Sequence, residues 1–322
     1  MSSQVDDDVF WISVIILGMF ASLGSLFIII SVLLQWRKDF SSRLVMYLSM
    51  ADFALSVICL AMCAFNYSNG NIGRHGGIAC EIQSVVIWYF MEVSILWLTT
   101  ISINSFKMIF NNKGLSVIQE IVANIICWGF PIITSLLPIG RIGGETYGPR
   151  NGLWCSFNED QKKAQLINIM VYYVPCLIII IFCYSYIIRN IYSTLGRVES
   201  NQSTDRRVKI IRRLFFFVLS YFVVWTPLVI SYLYEYITQS FVSFQVEYIV
   251  HILLHLQGIL NFFLFGLTTS IISKIKEGTF KCMESIGVSS SSSKKLSAFD
   301  ERLSRHNSDV NVNVVMNETT FS

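Results

Sequence analysis

The sequence has few charged residues and few prolines. Asp, Glu, Lys and Arg make up 14% of its 322 residues, whereas about a quarter of the residues in soluble proteins are charged. Only five residues are proline, and 53% of the residues are apolar. This composition argues against disorder outside the C-terminal tail and favours a protein that lies within a membrane. The formal net charge of +3 is too small to indicate a nucleic-acid-binding protein.

Several catalytic and transport signatures are also absent. The sequence contains no Gly-rich phosphate loop, no His-Glu-x-x-His, no Gly-x-Ser-x-Gly and no Cys-x-x-Cys. We therefore predict that the protein is not an enzyme and uses no cofactor and no metal. The last apolar stretch, Phe244–Ser270, contains no lysine, which excludes a retinal pump of the microbial rhodopsin type because that pump needs a Schiff-base lysine there. The two halves show no internal similarity of the kind typical of transporters.

Seven apolar stretches are each long enough to cross a hydrocarbon core of roughly 30 Å as a helix. We call them spans 1 to 7 and predict them at Phe10–Leu34, Leu44–Asn66, Cys80–Phe106, Val117–Leu137, Ala164–Ile188, Leu214–Tyr236 and Phe244–Ser270. Nineteen of the 24 Lys and Arg residues fall on the side of the C-terminal tail, and basic residues mark the cytoplasmic side. The sequence thus predicts an all-α membrane protein, a seven-transmembrane-helix bundle in the plasma membrane, with an extracellular N-terminus and a disordered cytoplasmic C-terminal tail.

This topology divides the chain into four segments. They are an extracellular N-terminus at 1–9, the transmembrane domain at 10–270, an amphipathic juxtamembrane helix at 271–286 and the disordered tail at 287–322. Cys282 in the juxtamembrane helix is a palmitoylation candidate. Ser297 and Ser308 follow basic residues at kinase-like spacing and are phosphorylation candidates. Asn66 begins an Asn-Tyr-Ser sequon on the extracellular side and is the predicted glycosylation site.

Span 6 is preceded by a basic segment and contains a proline in its outer half. The basic residues are Arg206, Arg207, Lys209, Arg212 and Arg213. Four of these five fall on one face of a helix, and we call the five residues together the basic stripe. Pro227 is expected to bend the helix, because it lacks an N–H and its ring clashes with the preceding turn. Trp225 lies just before this bend.

Two carboxylates lie at depths where charge is costly in a membrane. Asp52 is about two turns from the cytoplasmic end of span 2, and Glu92 is about 18 Å from Cys80 along span 3. Asp52 is either part of a switch or a structural hydrogen-bond node. Glu92 is either protonated, paired with a histidine, or the acceptor for a ligand donor. His251 and His255 lie on one face of span 7, and a zinc site there would lack a third ligand.

Two of the eight cysteines are candidates for a disulfide. Five lie within the spans, where cysteine behaves as a small apolar residue, and Cys282 is cytoplasmic. Cys80 at the start of span 3 and Cys155 in the loop between spans 4 and 5 remain, and both face the oxidising side. We predict that they form a disulfide that holds this loop over the end of the bundle, with two free thiols as the alternative.

Several motifs resemble those of the slime-mould cyclic-AMP receptors and their receptor-like relatives. They are Trp128-Gly129-Phe130-Pro131, Trp154-Cys155, Tyr173-Val174-Pro175 and His255-Leu256-Gln257-Gly258. The similarity covers roughly Trp36–Gly266, and the seven spans and the cysteine pair are part of it. Leu48–Asp52 and Trp225-Thr226-Pro227 look like the rhodopsin class instead, and the Trp-Gly-x-Pro and Trp-Cys pieces are also similar to the secretin class. The resemblance implies a G-protein-coupled receptor.

The chain departs from these families in three respects. Span 3 ends Ser102–Phe106 and lacks the Glu/Asp-Arg-Tyr motif of the rhodopsin class, so another contact must hold the resting state. Ser156 stands where the cyclic-AMP receptors have Trp. A bound cyclic nucleotide would need Arg or Lys for its phosphate. The only outward-facing candidates are the loop residues Arg74, Arg141, Arg150, Lys162 and Lys163.

The sequence therefore predicts a receptor whose extracellular ligand, cyclic AMP or another small molecule, lies between spans 3, 5, 6 and 7. The predicted ligand-binding residues are Tyr89, Glu92, Tyr172, Trp225 and His251, and the predicted switch residues are Asp52, Trp225 and Pro227. The predicted G-protein-facing residues are Arg37, Lys38 and the basic stripe, Arg206, Arg207, Lys209, Arg212 and Arg213. Other predicted partners are a heterotrimeric G protein and membrane lipids. Alternatively, the stripe serves only to fix the membrane topology and to bind anionic lipid head groups. The rival prediction is a non-signalling seven-helix membrane protein, a channel or a scaffold.

Overall fold

The fold is described from a computed structural model of the chain. The structure describes residues 2–34, 40–69, 78–111, 114–136, 147–150, 154–158, 161–195 and 202–266. All of these residues belong to one compact unit. The predicted juxtamembrane helix, the tail, Cys282, Ser297 and Ser308 lie outside the described residues.

Each of the seven predicted spans is helical. Span 1 is Ser2–Leu34, span 2 is Phe40–Asn69, span 3 is Ile78–Asn111, span 5 is Lys162–Leu195 and span 6 is Gln202–Thr238. Span 4 comprises α-helices Val117–Asn124 and Phe130–Leu136 joined by a π-helical turn, Ile125–Gly129, and span 7 comprises Phe244–Asn261 followed by a second π-helical turn, Phe262–Gly266. Six helices in the described part of the chain are long and apolar enough to cross a membrane, and span 6 is the seventh helix. The predicted all-α seven-helix membrane fold is confirmed.

Local sequence explains where some of these helices begin and how two of them continue past proline. Ser116 caps span 4: its hydroxyl accepts from the Gln119 N–H, and the Gln119 side chain accepts from the Ser116 N–H. Pro175 and Pro227 lie inside spans 5 and 6, which remain helical through them. Each proline leaves one carbonyl of the preceding turn without its helical donor, so these are the weak points of both helices.

The spans form a ring with apolar residues on the outside and polar residues inside. Span 1 packs against spans 2 and 7, span 3 against spans 2 and 5, and span 6 against spans 5 and 7, while span 4 packs on the outside of span 3. Leu23, Ile118 and Ile178 are at least 60% exposed, whereas Asp52 and Glu92 are almost completely buried. This distribution is the reverse of that in a soluble protein, and it fits a bundle whose outer surface faces lipid.

A β-hairpin covers one end of the bundle. Strands β1, Tyr147–Arg150, and β2, Trp154–Phe157, pair in antiparallel register with Tyr147 opposite Phe157. Cys155 in β2 forms a disulfide with Cys80 at the start of span 3, and the two Cα atoms are 5.2 Å apart. The predicted disulfide is therefore confirmed. We call this end of the bundle the disulfide end.

Two glycines allow span 1 and span 7 to approach closely. A Cβ atom added at Gly24 would lie 2.9 Å from the Cβ of Phe262, and one added at Gly258 would lie 3.0 Å from the Cβ of Ala21. Small residues at helix contacts increase the packing between membrane helices. The sequence alone did not distinguish these glycines from the sixteen others.

Replacing Gly24 by valine is expected to lower the stability of the purified protein by about 1–3 kcal/mol, because the added atoms would push span 1 away from Phe262. Thermal unfolding followed by fluorescence would measure this loss. Gly129 is a matched control, since no atom lies within 4 Å of an added Cβ there. Gly129→Val destabilised as strongly as Gly24→Val would contradict the packing explanation.

Candidate functional site

Asp52 lies at the centre of a hydrogen-bond node that joins three spans. Its Oδ1 accepts from the Ser94 hydroxyl of span 3 at 2.9 Å and from Gln257 Nε2 of span 7 at 3.3 Å. Its Oδ2 accepts from Asn261 Nδ2 at 2.7 Å. The Asp52 side chain is buried, and three donors compensate the cost of burying its carboxylate.

Gln257 extends this node to span 6. The Trp225 Nε1–H donates to Gln257 Oε1 at 3.0 Å, while Gln257 Nε2 donates to Asp52. The indole of Trp225 is 2% exposed and lies two residues before Pro227. Two of the predicted switch residues, Asp52 and Trp225, are therefore connected through one side chain that the sequence analysis did not select.

Spans 5 and 6 contact each other close to their prolines. The hydroxyls of Tyr173 and Thr226 are 2.9 Å apart, and the rings of Tyr173 and Tyr221 stack with centroids 5.5 Å apart. Thr226 directly precedes Pro227, and Tyr173 lies two residues before Pro175. The Tyr173 contact is thus placed at the weak points of both helices.

Glu92 faces spans 4 and 5 rather than span 7. Its Oε2 accepts from the Thr134 hydroxyl at 2.7 Å, and that hydroxyl also hydrogen-bonds the hydroxyl of Tyr172. Of the alternatives left open for Glu92, pairing with His251 or His255 is ruled out. Both histidines line a cavity between spans 1, 2, 3 and 7, and Glu92 is not among the residues of its wall.

Two other aromatic residues of span 3, Trp88 and Tyr89, contact different neighbours. Tyr89 donates from its hydroxyl to the Trp128 carbonyl of span 4 at 3.2 Å. Trp88 instead packs against Phe157 of the hairpin, with ring centroids 5.2 Å apart, and against Tyr232 of span 6. Of the five predicted ligand-binding residues, the structure joins Glu92 with Tyr172 and places Tyr89, Trp225 and His251 elsewhere.

A cavity of about 700 Å³, including its open part, lies between spans 1, 2, 3 and 7. Its wall includes Phe10 and Trp11 of span 1, and His251 contacts the Phe10 ring edge-on at a centroid distance of 5.8 Å. Asp52 and Gln257 of the hydrogen-bond node also line it. The cavity therefore touches the connection that leads to Trp225, and the sequence analysis did not predict it, because its wall is formed by four helices that are distant in sequence.

The end of the bundle opposite the disulfide is held by polar contacts that the sequence analysis also missed. Arg43 of span 2 forms a two-pronged ion pair with Glu120 of span 4, at 2.7 and 2.6 Å. Asn104 of span 3 accepts from the Leu115 N–H at 3.1 Å and donates to the Ser41 hydroxyl at 3.2 Å. These contacts join spans 2, 3 and 4 close to where the Glu/Asp-Arg-Tyr motif is absent.

Polar residues inside the spans are the signal that could have identified the missed residues. Ser94, Gln257 and Asn261 are polar, lie within apolar helices and are spaced so that Gln257 and Asn261 share a face. In the described part of the chain no group of three or more His, Cys, Asp or Glu side chains is placed to hold a metal ion. Arg37, Lys38 and the side chains of Asn66 and the basic stripe lie outside the described residues.

Known proteins with similar sequences and structures are receptors. The family described as "7 transmembrane receptor (rhodopsin family)" matches residues 24–265. Cyclic AMP receptor-like protein A of Dictyostelium discoideum is 24% identical over 261 residues, which cover 79% of this chain and 63% of that protein. C5a anaphylatoxin chemotactic receptor 1 of Homo sapiens is 24% identical over 216 residues, which cover 64% and 59%. This chain thus spans about three fifths of the length of these curated relatives.

The fold agrees with this similarity. The crystal structure of squid rhodopsin superposes with a TM-score of 0.65 at 16% identity and covers 86% of this chain and 87% of that chain. Seven helices with a lipid-compatible surface define an integral multi-pass membrane protein of the seven-helix receptor class. The chain belongs to the rhodopsin family of seven-transmembrane receptors. The predicted resemblance to the cyclic-AMP receptor-like family is confirmed.

Proposed function

We propose that this receptor binds an extracellular ligand near its disulfide end and activates a heterotrimeric G protein at the opposite end. Ligand binding favours a conformer in which span 6 swings outward about Pro227. A ligand can shift this equilibrium only by the difference between its affinities for the two conformers. The transmitted signal must therefore pass through side chains that contact both the ligand region and span 6.

The observation that carries this proposal is the sequence of hydrogen bonds from Asp52 through Gln257 to Trp225. It begins at the wall of a cavity and ends on span 6, two residues before a proline that weakens the helix. The Tyr173–Thr226 contact supports it, because it holds spans 5 and 6 together at the same level. Outward movement of span 6 would have to break or rearrange both connections.

The orientation and the G-protein surface are part of the proposal. The distribution of Lys and Arg supports a plasma-membrane protein with the N-terminus outside and the C-terminus inside. The disulfide is consistent with this orientation, since its end would face an oxidising compartment. The opposite end would present Arg37, Lys38 and the basic stripe to an acidic partner surface. Asn66, Cys282, Ser297 and Ser308 remain candidates for modification on the sides given above.

Replacing Arg212 and Arg213 together by glutamine is expected to reduce G-protein activation at least about tenfold, because neutralising contacts at a charged interface weakens association by several kcal/mol. Cells expressing the variant would be screened with candidate ligands, cyclic nucleotides included, and read by G-protein dissociation. The same change at Lys294 and Lys295 in the tail removes equal charge and serves as the control. Surface expression is measured in parallel.

Three outcomes would speak against the proposal. Loss of surface expression without a specific signalling defect would mean that the stripe fixes the membrane topology and binds lipid head groups. An ionic current through the unmodified protein would favour a channel. Signalling that survives replacement of Trp225 and Pro227 together would contradict the role of span 6.

A further inference from the structure

The cavity between spans 1, 2, 3 and 7 has the features of a binding site for a small molecule. It has about 700 Å³ of free space when its open part is counted, and it is lined by four helices. Gln83 and Met91 of span 3 both line it and are eight positions apart in the helix, so the wall extends about 12 Å along the bundle. Gln83 is three residues from Cys80, which places one end of the cavity next to the disulfide.

One polar atom in the wall is buried without a partner. Gln83 is 4% exposed, and its Oε1 has no hydrogen-bond partner among the described residues. A buried amide oxygen that accepts no hydrogen bond loses its hydration without compensation, which destabilises the protein. Such an atom in the wall of a cavity is satisfied when a ligand supplies the donor.

The rest of the wall limits the charge of that ligand. Most of the lining residues are apolar, including Ile87 and Leu254, and none of them is Lys or Arg. The carboxylate at the deep end, Asp52, already accepts three hydrogen bonds and would repel an anion. An anionic group in this cavity would therefore be desolvated without a cation to compensate it.

Lys162, one of the basic residues that could have bound a phosphate, is buried, and its ammonium donates to the Gln239 carbonyl at 2.6 Å and lies over the Phe241 ring. It lines no part of the cavity.

We propose that the ligand-binding site of this receptor is the cavity between spans 1, 2, 3 and 7, and that it takes a small, mainly apolar ligand that donates a hydrogen bond to Gln83 and carries no negative charge. This inference rests on the proposed receptor function and moves the site away from spans 5 and 6. Of the ligand-binding residues predicted from the sequence, His251 belongs to this site. Gln257 connects it to Trp225, so an occupant can influence span 6 without touching it.

Binding of tritiated indole to the purified full-length protein tests this site, since indole is a flat apolar ring with one N–H donor. Saturable binding is expected. 1-Methylindole lacks the donor and should compete about tenfold less well, which corresponds to one hydrogen bond to a buried acceptor. Indole-3-acetate carries the same ring and donor with a carboxylate and should compete at least about tenfold less well than indole.

Two variants show whether the probe binds in this cavity. Gln83→Met keeps the size of the side chain but removes the acceptor, so indole and 1-methylindole should compete equally. Cys59→Trp fills the cavity from span 2 and should abolish binding, while thermal unfolding reports whether the variant is folded. If Cys59→Trp does not fold, the comparison of indole with 1-methylindole in Gln83→Met still shows whether the probe binds at Gln83. No saturable indole binding, or an unchanged preference in Gln83→Met, would overturn the assignment.

The outcome is separable from that of the receptor proposal. Indole binding does not depend on a G protein, so a failure of G-protein activation would leave the binding result standing. Conversely, an agonist whose potency is unchanged in folded Cys59→Trp would overturn the cavity site and leave the receptor proposal intact.

Discussion

Replacing Cys155 by serine is expected to destabilise the receptor by about 2–5 kcal/mol, the usual cost of removing a native disulfide from a small extracellular domain. The bond joins residues 75 positions apart, so its loss releases a long closed segment that contains most of span 3, span 4 and strand β1. It also frees β2, whose Phe157 packs on Trp88 at the disulfide end. Thermal unfolding of the purified protein and the fraction of the chain at the cell surface would measure the effect.

Cysteine controls separate the bond from the individual thiols. The double variant Cys80→Ser/Cys155→Ser should match the single variant, because one bond is lost in both cases. Cys183→Ser is a matched control, since Cys183 is a buried free cysteine of span 5 and its thiol contributes only packing. A double variant with unaltered thermal stability and surface expression would show that the disulfide does not hold the hairpin in place.

Replacing Gln257 by leucine is expected to lower the potency of an agonist in G-protein dissociation about ten- to hundredfold. Leucine has a similar size but removes both the hydrogen bond from Trp225 and the one to Asp52. Leaving a buried polar group without its partner costs about 1–3 kcal/mol, which is also the usual size of an allosteric coupling energy. The agonist is the one identified by the ligand screen, and its potency is measured in cells matched for surface expression.

A double-mutant cycle tests whether this effect passes through Trp225. Trp225→Phe keeps an aromatic ring and removes the N–H donor, so the double variant with Gln257→Leu should lose little more than Gln257→Leu alone. Leu256→Met is the control, because it alters the neighbouring side chain of span 7 without a hydrogen bond. Fully additive losses would mean that the two residues act independently.

The fold was predictable because membrane helices are specified locally. Each span can be recognised from its apolar length, since every backbone polar group inside a bilayer must be satisfied within the helix itself. The disulfide was also predictable, because the membrane topology left two cysteines on one side. The first and last residues of the helices were less predictable. Span 1 begins at Ser2 rather than Phe10, and span 3 continues to Asn111 rather than Phe106. Hydropathy does not mark helix ends that extend beyond the bilayer.

The candidate site was predictable only in part. Asp52 and Trp225 stood out as a membrane carboxylate and as the residue before a proline bend, and the structure connects them. Glu92 also stood out, but the sequence could not show that the Thr134 hydroxyl, and not a histidine, donates to its Oε2. Which neighbour a buried carboxylate meets depends on the rotation of each helix about its axis, and packing between the helices sets that rotation.

The sequence by itself determined that this chain crosses a membrane seven times, that Cys80 and Cys155 lie on one side of it, and that span 6 carries a weak point at Pro227. Only the tertiary structure decided that spans 1, 2, 3 and 7 enclose a cavity and that Gln257 connects its wall to Trp225. The physical reason is that helix formation depends on residues a few positions apart. A cavity and a hydrogen bond between helices depend on side chains far apart in the sequence, such as Asp52 and Gln257 at 205 positions, that meet only when the bundle is assembled.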